Sequence, residues 1–331
     1  MQKIDNIEIK NFKSIRDQKI EGCKRINVFI GYPNTGKSNI LEALSSIQYC
    51  KMPQGIDLRD LFRFEDAAEL FFEANAKQDG IVSYNKSKSV FIKFVDKNLV
   101  QMLTTEYHPD SIGIVSASEK NASDLIDIFK YDFKQNIDNN RGNSYRHLQS
   151  PFGENLFLML RENLGLRKSF NEILVNYNLR LLIDKTSNSV KLIKSIDSDS
   201  IFQLSYGLLA DTLQRLFFYK TAVITNRNSV LLFEEPEAHM FPPYISKLTS
   251  DIIHDENDNQ YFIATHSPFV LNNFMDNLKS DELAIYIVSY KKETGETQIH
   301  KMNEEDMHEA YQFGYDFFMN IDKFISQEQH G

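Results

Sequence analysis

Two cysteines, Cys23 and Cys50, are all that the 331 residues contain. They build no disulfide framework and have no metal-ligand spacing. Both are expected as buried or half-buried thiols of a protein in the reducing cytoplasm. No apolar run approaches the roughly 20 residues that a membrane-spanning helix needs, so no membrane partner is expected. The start, Met1-Gln-Lys-Ile-Asp-Asn-Ile-Glu-Ile9, alternates like a strand and carries acids, which argues against a signal peptide. Internal repeats, low-complexity tracts and a heptad run long enough for a coiled coil are missing. Positive charge is in deficit: 37 lysines and arginines face 46 acids, a net charge of −9. That excludes a surface basic overall. Nucleic acid would have to be met by a local groove or through a partner. At 42% hydrophobic and 25% charged residues, the composition is that of an ordinary globular protein of one large domain or two small ones.

The chain does contain Gly31-Tyr-Pro-Asn-Thr-Gly-Lys37-Ser38, which fits the phosphate-binding pattern G-x-x-x-x-G-K-[ST]. The apolar run Ile26–Ile30 before it reads as a buried strand, and Asn39–Leu44 after it reads as a helix. Gly31 and Gly36 let the backbone wrap a polyphosphate with successive N–H groups turned inward. The helix aims its positive end at the same charge. Candidate nucleotide-binding residues are therefore Gly31, Asn34, Thr35, Gly36, Lys37, Ser38 and Asn39. Lys37 is expected on the β- and γ-phosphates and the Ser38 hydroxyl on Mg²⁺. A glycine turn with a chance lysine is the bland alternative, and the flanking strand and helix argue against it.

Taken in order, residues 3–10 alternate as a strand, and a second strand at about 25–30 leads into the loop. Met52–Gly55 breaks the pattern. Residues 58–76 have helical spacing, with Leu61, Phe62, Leu70, Phe71 and Phe72 as core. Ile81–Tyr84 and Val90–Val95 read as a hairpin. Residues 133–149 carry Lys134, Arg141, Arg146 and His147 around an Asn-Asn-Arg-Gly loop; a solvated loop is favoured there over a nucleic-acid contact. Pro151 is expected to open a helix to about Phe170 that buries Leu156, Phe157, Leu160 and Leu164. A second hairpin follows at 177–194. Residues 53–200 thus read as a mixed α+β insertion between the two parts of a nucleotide-binding core, 1–52 and 201–331.

The second part carries the remaining chemistry. Ser229–Phe233 is an all-apolar run, as a central parallel strand should be, and ends in Glu234-Glu-Pro-Glu237. Acids at the carboxyl end of such a strand lie in the ligand crevice of an α/β fold. Glu234 is the candidate for Mg²⁺ and Glu235 for polarising the attacking water; an acidic turn is the alternative. Gln260–Ala264 is a further buried strand, ending in Thr265-His-Ser-Pro268. His266 there can sense a γ-phosphate or simply pack and cap the next helix. Leu204-Ser-Tyr-Gly207 precedes a helical pattern at 208–219, so Ser205 and Gly207 can sit at a helix N-terminus and bind an anion.

In this order, GYPNTGKS, LSYG, SVLLFEEPEAH and ATHSP resemble an ABC-type ATPase head of the SMC/RecF/OLD kind, the bacterial AAA family ATPases of AAA_15 or AAA_21 type. Ile9–Ile15 is similar to that group's N-terminal strand. The resemblance covers residues 4 to about 275 and is strongest to the OLD branch. It implies an α/β P-loop NTPase with a mainly parallel central sheet, an N-terminal antiparallel β subdomain and the inserted α+β segment. It implies ATP and Mg²⁺ as cofactors and a head-to-tail homodimer, with higher assembly open. In that dimer Ser205 and Gly207 of one copy cover the triphosphate on the P-loop of the other. Glu235 becomes the catalytic base, Glu234 the Mg²⁺-side acid and His266 the switch histidine; Lys13 approaches the nucleotide. Pro33 stands where OLD-like loops carry Asn, and Leu208 where many signatures carry Gln or Glu. The stretch after His266 does not fit a Toprim nuclease domain. The expectation is an ATP-hydrolysing switch for a separate effector protein, in the direction of bacterial anti-phage defence. A RecF-like DNA-repair ATPase and a small-molecule kinase are the competing functions.

Overall fold

The N-terminal alternation forms β1 (Asn6–Phe12), with Ile7, Ile9 and Phe12 buried and Glu8 and Lys10 half-buried. A tight turn through Lys13, at φ 50°, leads to β2 (Ile15–Glu21), which pairs antiparallel with β1. The computed structural model describes residues 3–52, 57–97, 99–106, 124–135, 146–184, 186, 189–195, 200–307 and 317–326. The loops at 53–55 and 139–142, the turn at 187–188 and the helical pattern at 308–316 lie outside those residues.

The backbone gathers into two compact units, Met1–Lys130 with Asn228–Glu235 and Asp258–Gly331, and Tyr131–Arg227 with Pro236–Asn257. In the first, β3 (Ile26–Ile30) is buried at every residue and runs into α1 (Lys37–Lys51). Next come β4 (Gly80–Tyr84), β5 (Lys88–Asp96) and β6 (Leu99–Glu106). They join the first two strands in an antiparallel sheet ordered β2-β1-β4-β5-β6. β7 (Ile128–Tyr131), β11 (Val230–Glu234), β12 (Gln260–Ala264), β13 (Leu283–Lys291) and β14 (Glu296–Lys301) complete a second sheet, ordered β14-β13-β3-β12-β11-β7. Its strands β13, β3, β12 and β11 are parallel, and β14 is antiparallel to β13. β3 and β12 are apolar apart from Asn27 and Gln260 because both sheet faces are covered. One hydrophobic core, including Ile9, Phe12, Leu44, Phe62, Val82, Leu232 and Phe262, serves both sheets of this unit.

The second unit contains α2 (Leu156–Glu162), α3 (Leu164–Leu174), α4 (Asp211–Thr225) and α5 (Pro242–Ile253). Its antiparallel sheet, ordered β10-β9-β8, is built from β8 (Arg180–Asp184), β9 (Ser189–Ser195) and β10 (Ile201–Ser205). Phe170 stacks on Phe217 at 3.9 Å between ring centroids in its core. The first unit also carries α6 (Pro268–Asn277) and α7 (Ile321–Ser326). Among the described residues, no helix is long and apolar enough to cross a membrane.

The α/β class, the mainly parallel central sheet and the N-terminal antiparallel sheet agree with the expectation. Other local readings need correction. Residues 58–76 hold separate 3-10 turns, Leu58–Asp60, Ala67–Leu70 and Phe72–Ala74, rather than one helix. Asp57 and Asp66 each start a turn with a side-chain cap, and the positive φ of Glu73 and Ala74 ends the last. Phe62 and Phe71 are nevertheless buried. Residues 80–106 belong to the first unit, because β4 pairs with β1; residues 201–227 belong to the second. The helix expected from Pro151 starts at Leu156 and breaks at Asn163, which is extended and caps α3 by accepting from the Leu166 N–H at 2.9 Å. Leu164 is thereby left exposed on the first turn. Cys23 and Cys50 are free and half-buried.

Candidate functional site

The loop after β3 closes on itself. The Thr35 hydroxyl donates to the Tyr32 carbonyl at 2.9 Å. Asn34 is left-handed at φ 60°, a conformation its short polar side chain tolerates. Gly36 stands at φ 100° as the N-cap of α1, with no side-chain cap on the helix and no acid in its first turn. The first N–H groups of α1 are thus open to an anion. Lys37 is buried, and its ammonium donates to the carbonyls of Gly31 at 3.0 Å and Tyr32 at 2.8 Å. Burial pushes its pKa down to about 8, against the pull of Glu235 and Glu234, whose charges act on it.

Both acids stand at the carboxyl end of β11, beside the end of β12. Glu235 takes φ 42° and donates its N–H to the Ala264 carbonyl at 2.8 Å. A left-handed glutamate is a strained conformation of the kind that gathers at working sites. Its Oε1 lies 3.5 Å from His266 Nε2. The His266 pKa is lowered by burial and by the Lys37 ammonium, with Glu235 opposing. Thr265 anchors this turn by donating its N–H to the Phe29 carbonyl at 3.1 Å and accepting from the Ser267 N–H at 2.9 Å. Lys37, Glu234, Glu235 and His266 therefore converge in the first unit.

An ionic network around the buried Glu42, not foreseen from sequence, backs this cluster. Glu42, one turn along α1 from Ser38, is fully buried and accepts from Lys13 and from Arg63 Nε at 2.8 Å. Burial alone would raise its pKa, but Lys13, Lys130 and Arg63 hold it lowered. Lys13 is thus committed to Glu42 and to the Arg63 carbonyl, at 2.7 Å, rather than turned to the loop. The same Arg63 reaches Glu234 Oε1 at 3.2 Å, and Lys130 stands 3.9 Å from Glu234 Oε2. Only the i, i+4 relation of Ser38 to Glu42 hinted at this in the sequence; Arg63 and Lys130 carried no local signal.

The Ser38 hydroxyl and the Glu234 carboxylate are the oxygens that could hold Mg²⁺. That set fits an ion which keeps several waters and takes the rest of its shell from phosphates. No cluster of three or more His, Cys, Asp or Glu side chains suited to a metal occurs among the described residues. Ser205 and Gly207 lie in the second unit, at the end of β10 and in a 3-10 turn Tyr206–Leu208. They do not head a helix, since α4 starts only at Asp211. Tyr206 is buried and anchors the turn, whereas Leu208 is 71% exposed. Among the described residues, a Cβ at Gly207 would meet nothing within 4 Å.

Comparison with known proteins gives a family and a fold. Residues 26–272 match the family described as "AAA domain, putative AbiEii toxin, Type IV TA system". The DNA replication and repair protein RecF of Thermoanaerobacter sp. (strain X514) is 23% identical over 138 residues, 38% of this chain and 37% of that one. An ATP/GTP phosphatase of Helicobacter pylori is 24% identical over 282 residues, 84% of this chain and 61% of that one. The chain therefore spans between about two fifths and three fifths of these relatives' lengths. Among solved structures, an SMC head bound to the C-winged helix domain of ScpA superposes with TM-score 0.57 at 16% identity, covering 92% of this chain and 99% of that one. An SMC head with an extended coiled coil, bound to the C-terminal domain of ScpA derived from Pyrococcus furiosus, gives TM-score 0.56 at 14% identity, covering 95% and 99%. These likenesses are of fold. The chain belongs to this AAA-domain family, and its fold is that of the SMC/RecF-like ABC-type ATPase heads.

Proposed function

We propose that this chain binds ATP with Mg²⁺ on the loop between β3 and α1 and hydrolyses it. The observation that carries the reading is the convergence of a buried Lys37, two carboxylates and His266 at the carboxyl ends of parallel strands. The N–H groups of Gly31, Asn34, Thr35, Gly36 and Asn39 cradle phosphate, and Lys37 binds the β- and γ-phosphates. Ser38 and Glu234 hold the metal, which when bound neutralises phosphate charge. Glu235 takes the proton of the attacking water, and His266 donates a hydrogen bond to the γ-phosphate.

Two copies would share the nucleotide head to tail. Gly207 supports this reading: its own fold leaves room for a side chain there, so the glycine suits close approach by another molecule. The switch would act on a separate effector, and the toxin–antitoxin wording of the family description is in keeping with a defence role. A RecF-like basic groove gains no support from the N-terminal sheet, where Lys10 and Lys19 are turned to Glu8 at 2.9 and 3.7 Å. Size measurement with and without ATP tests the dimer. Wild type is expected to double in mass with ATP. Ser205→Arg is expected to bind ATP as wild type does and remain single. ATP-driven association that survives this substitution removes Ser205 from the interface.

Arg63 competes with the metal for Glu234. Its side chain is 62% exposed, so the pair is worth at most about 1 kcal/mol. Arg63→Ala is expected to lower the Mg²⁺ concentration at half-maximal ATP binding by about two- to five-fold, read by calorimetric titration. An unchanged or raised requirement counts against Glu234 as the metal-side acid.

A further inference from the structure

We infer that Thr297 on β14 is a positioning residue for the phosphate loop, holding the Thr35–Gly36 peptide in its anion-binding orientation through a directed chain of hydroxyls that passes through Ser14. The inference rests on the nucleotide reading above and adds Thr297 and Ser14, which that reading does not use. Thr297 lies beyond the stretch 26–272 that matches the family.

Thr297 is fully buried. Its hydroxyl donates to the Thr35 carbonyl at 2.8 Å, inside the loop. It lies 2.6 Å from the Ser14 hydroxyl, in the turn between β1 and β2. Ser14 Oγ in turn accepts from Asn39 Nδ2 at 2.7 Å, on the first turn of α1. Each hydroxyl has one proton. With the Thr297 proton given to Thr35, the Ser14 proton goes to Thr297, and Asn39 supplies Ser14. The chain therefore runs one way, from α1 through the β1–β2 turn and β14 back to the loop. The Thr297 N–H donates to the Ser14 carbonyl at 2.8 Å and locks the two segments together.

The carbonyl of Thr35 and the N–H of Gly36 belong to one trans peptide, so they point in opposite directions. Holding the carbonyl toward Thr297 turns the Gly36 N–H away from β14. Gly36 follows from the same contact. A Cβ there would overlap Thr297 Oγ1 and come within 2.7 Å of Ser14 Oγ. A Cβ on Gly31 would likewise overlap the Val288 carbonyl oxygen of β13. The loop glycines are thus required by the β13–β14 hairpin as well as by phosphate. A valine at 297 would fill the same volume without burying a hydroxyl, so packing alone gives no reason for threonine.

The test is calorimetric ATP and ADP binding by wild type, Thr297→Val and Thr297→Ser, with thermal unfolding of each in the absence of nucleotide. Thr297→Val is expected to weaken both nucleotides about ten-fold, the scale of one lost buried hydrogen bond and its unsatisfied partner. Its unfolding midpoint should stay within a few degrees of wild type. Thr297→Ser, which keeps the hydroxyl, should bind within about two-fold of wild type. Wild-type affinity in Thr297→Val, or a serine variant as weak as the valine one, overturns the inference and leaves the nucleotide reading standing. A wild type that binds neither nucleotide overturns both. Should the valine variant not fold, Ser14→Ala carries the test: a similar loss supports the chain of hydroxyls, and unchanged affinity overturns it.

Discussion

Lys37→Ala is expected to weaken ATP binding by about 10²–10³-fold while leaving the fold intact. The side chain would make charge-assisted hydrogen bonds to two phosphates, each worth about 1.5–3 kcal/mol. Meanwhile its ammonium donates to the Gly31 and Tyr32 carbonyls, inside a site that disfavours its charge. That disfavour has a sign that can be read. Burial brings the pKa from the ordinary 10.5 to about 8 in the folded protein. Between those values the unfolded chain holds a proton that the folded one has lost, so stability rises with pH across the window. Below about pH 8 the full cost of burying the charge is present. A bound triphosphate returns the ammonium, so ATP binding above pH 8 takes up a proton, and affinity falls as pH rises. Calorimetry at pH 8.5 in two buffers of different ionisation enthalpy measures that uptake. Lys37→Ala should lose both the affinity and the proton. Retained affinity would refute the phosphate role of this lysine.

The sequence made the site legible where chemistry is written in short runs. The strand–loop–helix around Lys37 and the apolar strands ending at Glu234 and Ala264 stand where residue patterning puts them, because buried parallel strands have an unmistakable composition. Parallel pairing of β11 with β12 then brings Glu234 level with Ala264, which is why His266 meets Glu235. The ionic network and the Thr297 brace were not legible. Arg63, Lys130 and Thr297 reach the site from segments with no motif of their own, through a 3-10 stretch and sheet-edge strands whose placement only tertiary pairing decides. Helical spacing at 58–76 misled for a related reason. Apolar residues recur there because successive turns dip into one core, and aspartate caps cut the helix that the period suggests.

Glu235→Gln is expected to bind ATP within about three-fold of wild type, yet to hydrolyse it about 10²–10⁴-fold more slowly, the range of a lost general base. The amide matches the carboxylate in size and leaves the backbone that holds φ 42° to its bond with Ala264. Any loss is therefore chemical rather than architectural. The two acids differ in what surrounds them. Glu234 faces Arg63 and Lys130 on its two oxygens. Glu235 is half exposed and faces His266, which leaves it open to a water. Removing the Glu235 charge also removes the one influence that raises the His266 pKa, so the imidazole should titrate lower in the variant. A shift in the other direction by NMR would place the histidine elsewhere. With ATP undegraded, the head-to-tail pair should persist, so the variant is expected to elute as a stable dimer where wild type returns to the monomer. Wild-type turnover in Glu235→Gln would remove it as the base, and with it the reason for spending a left-handed backbone on a glutamate.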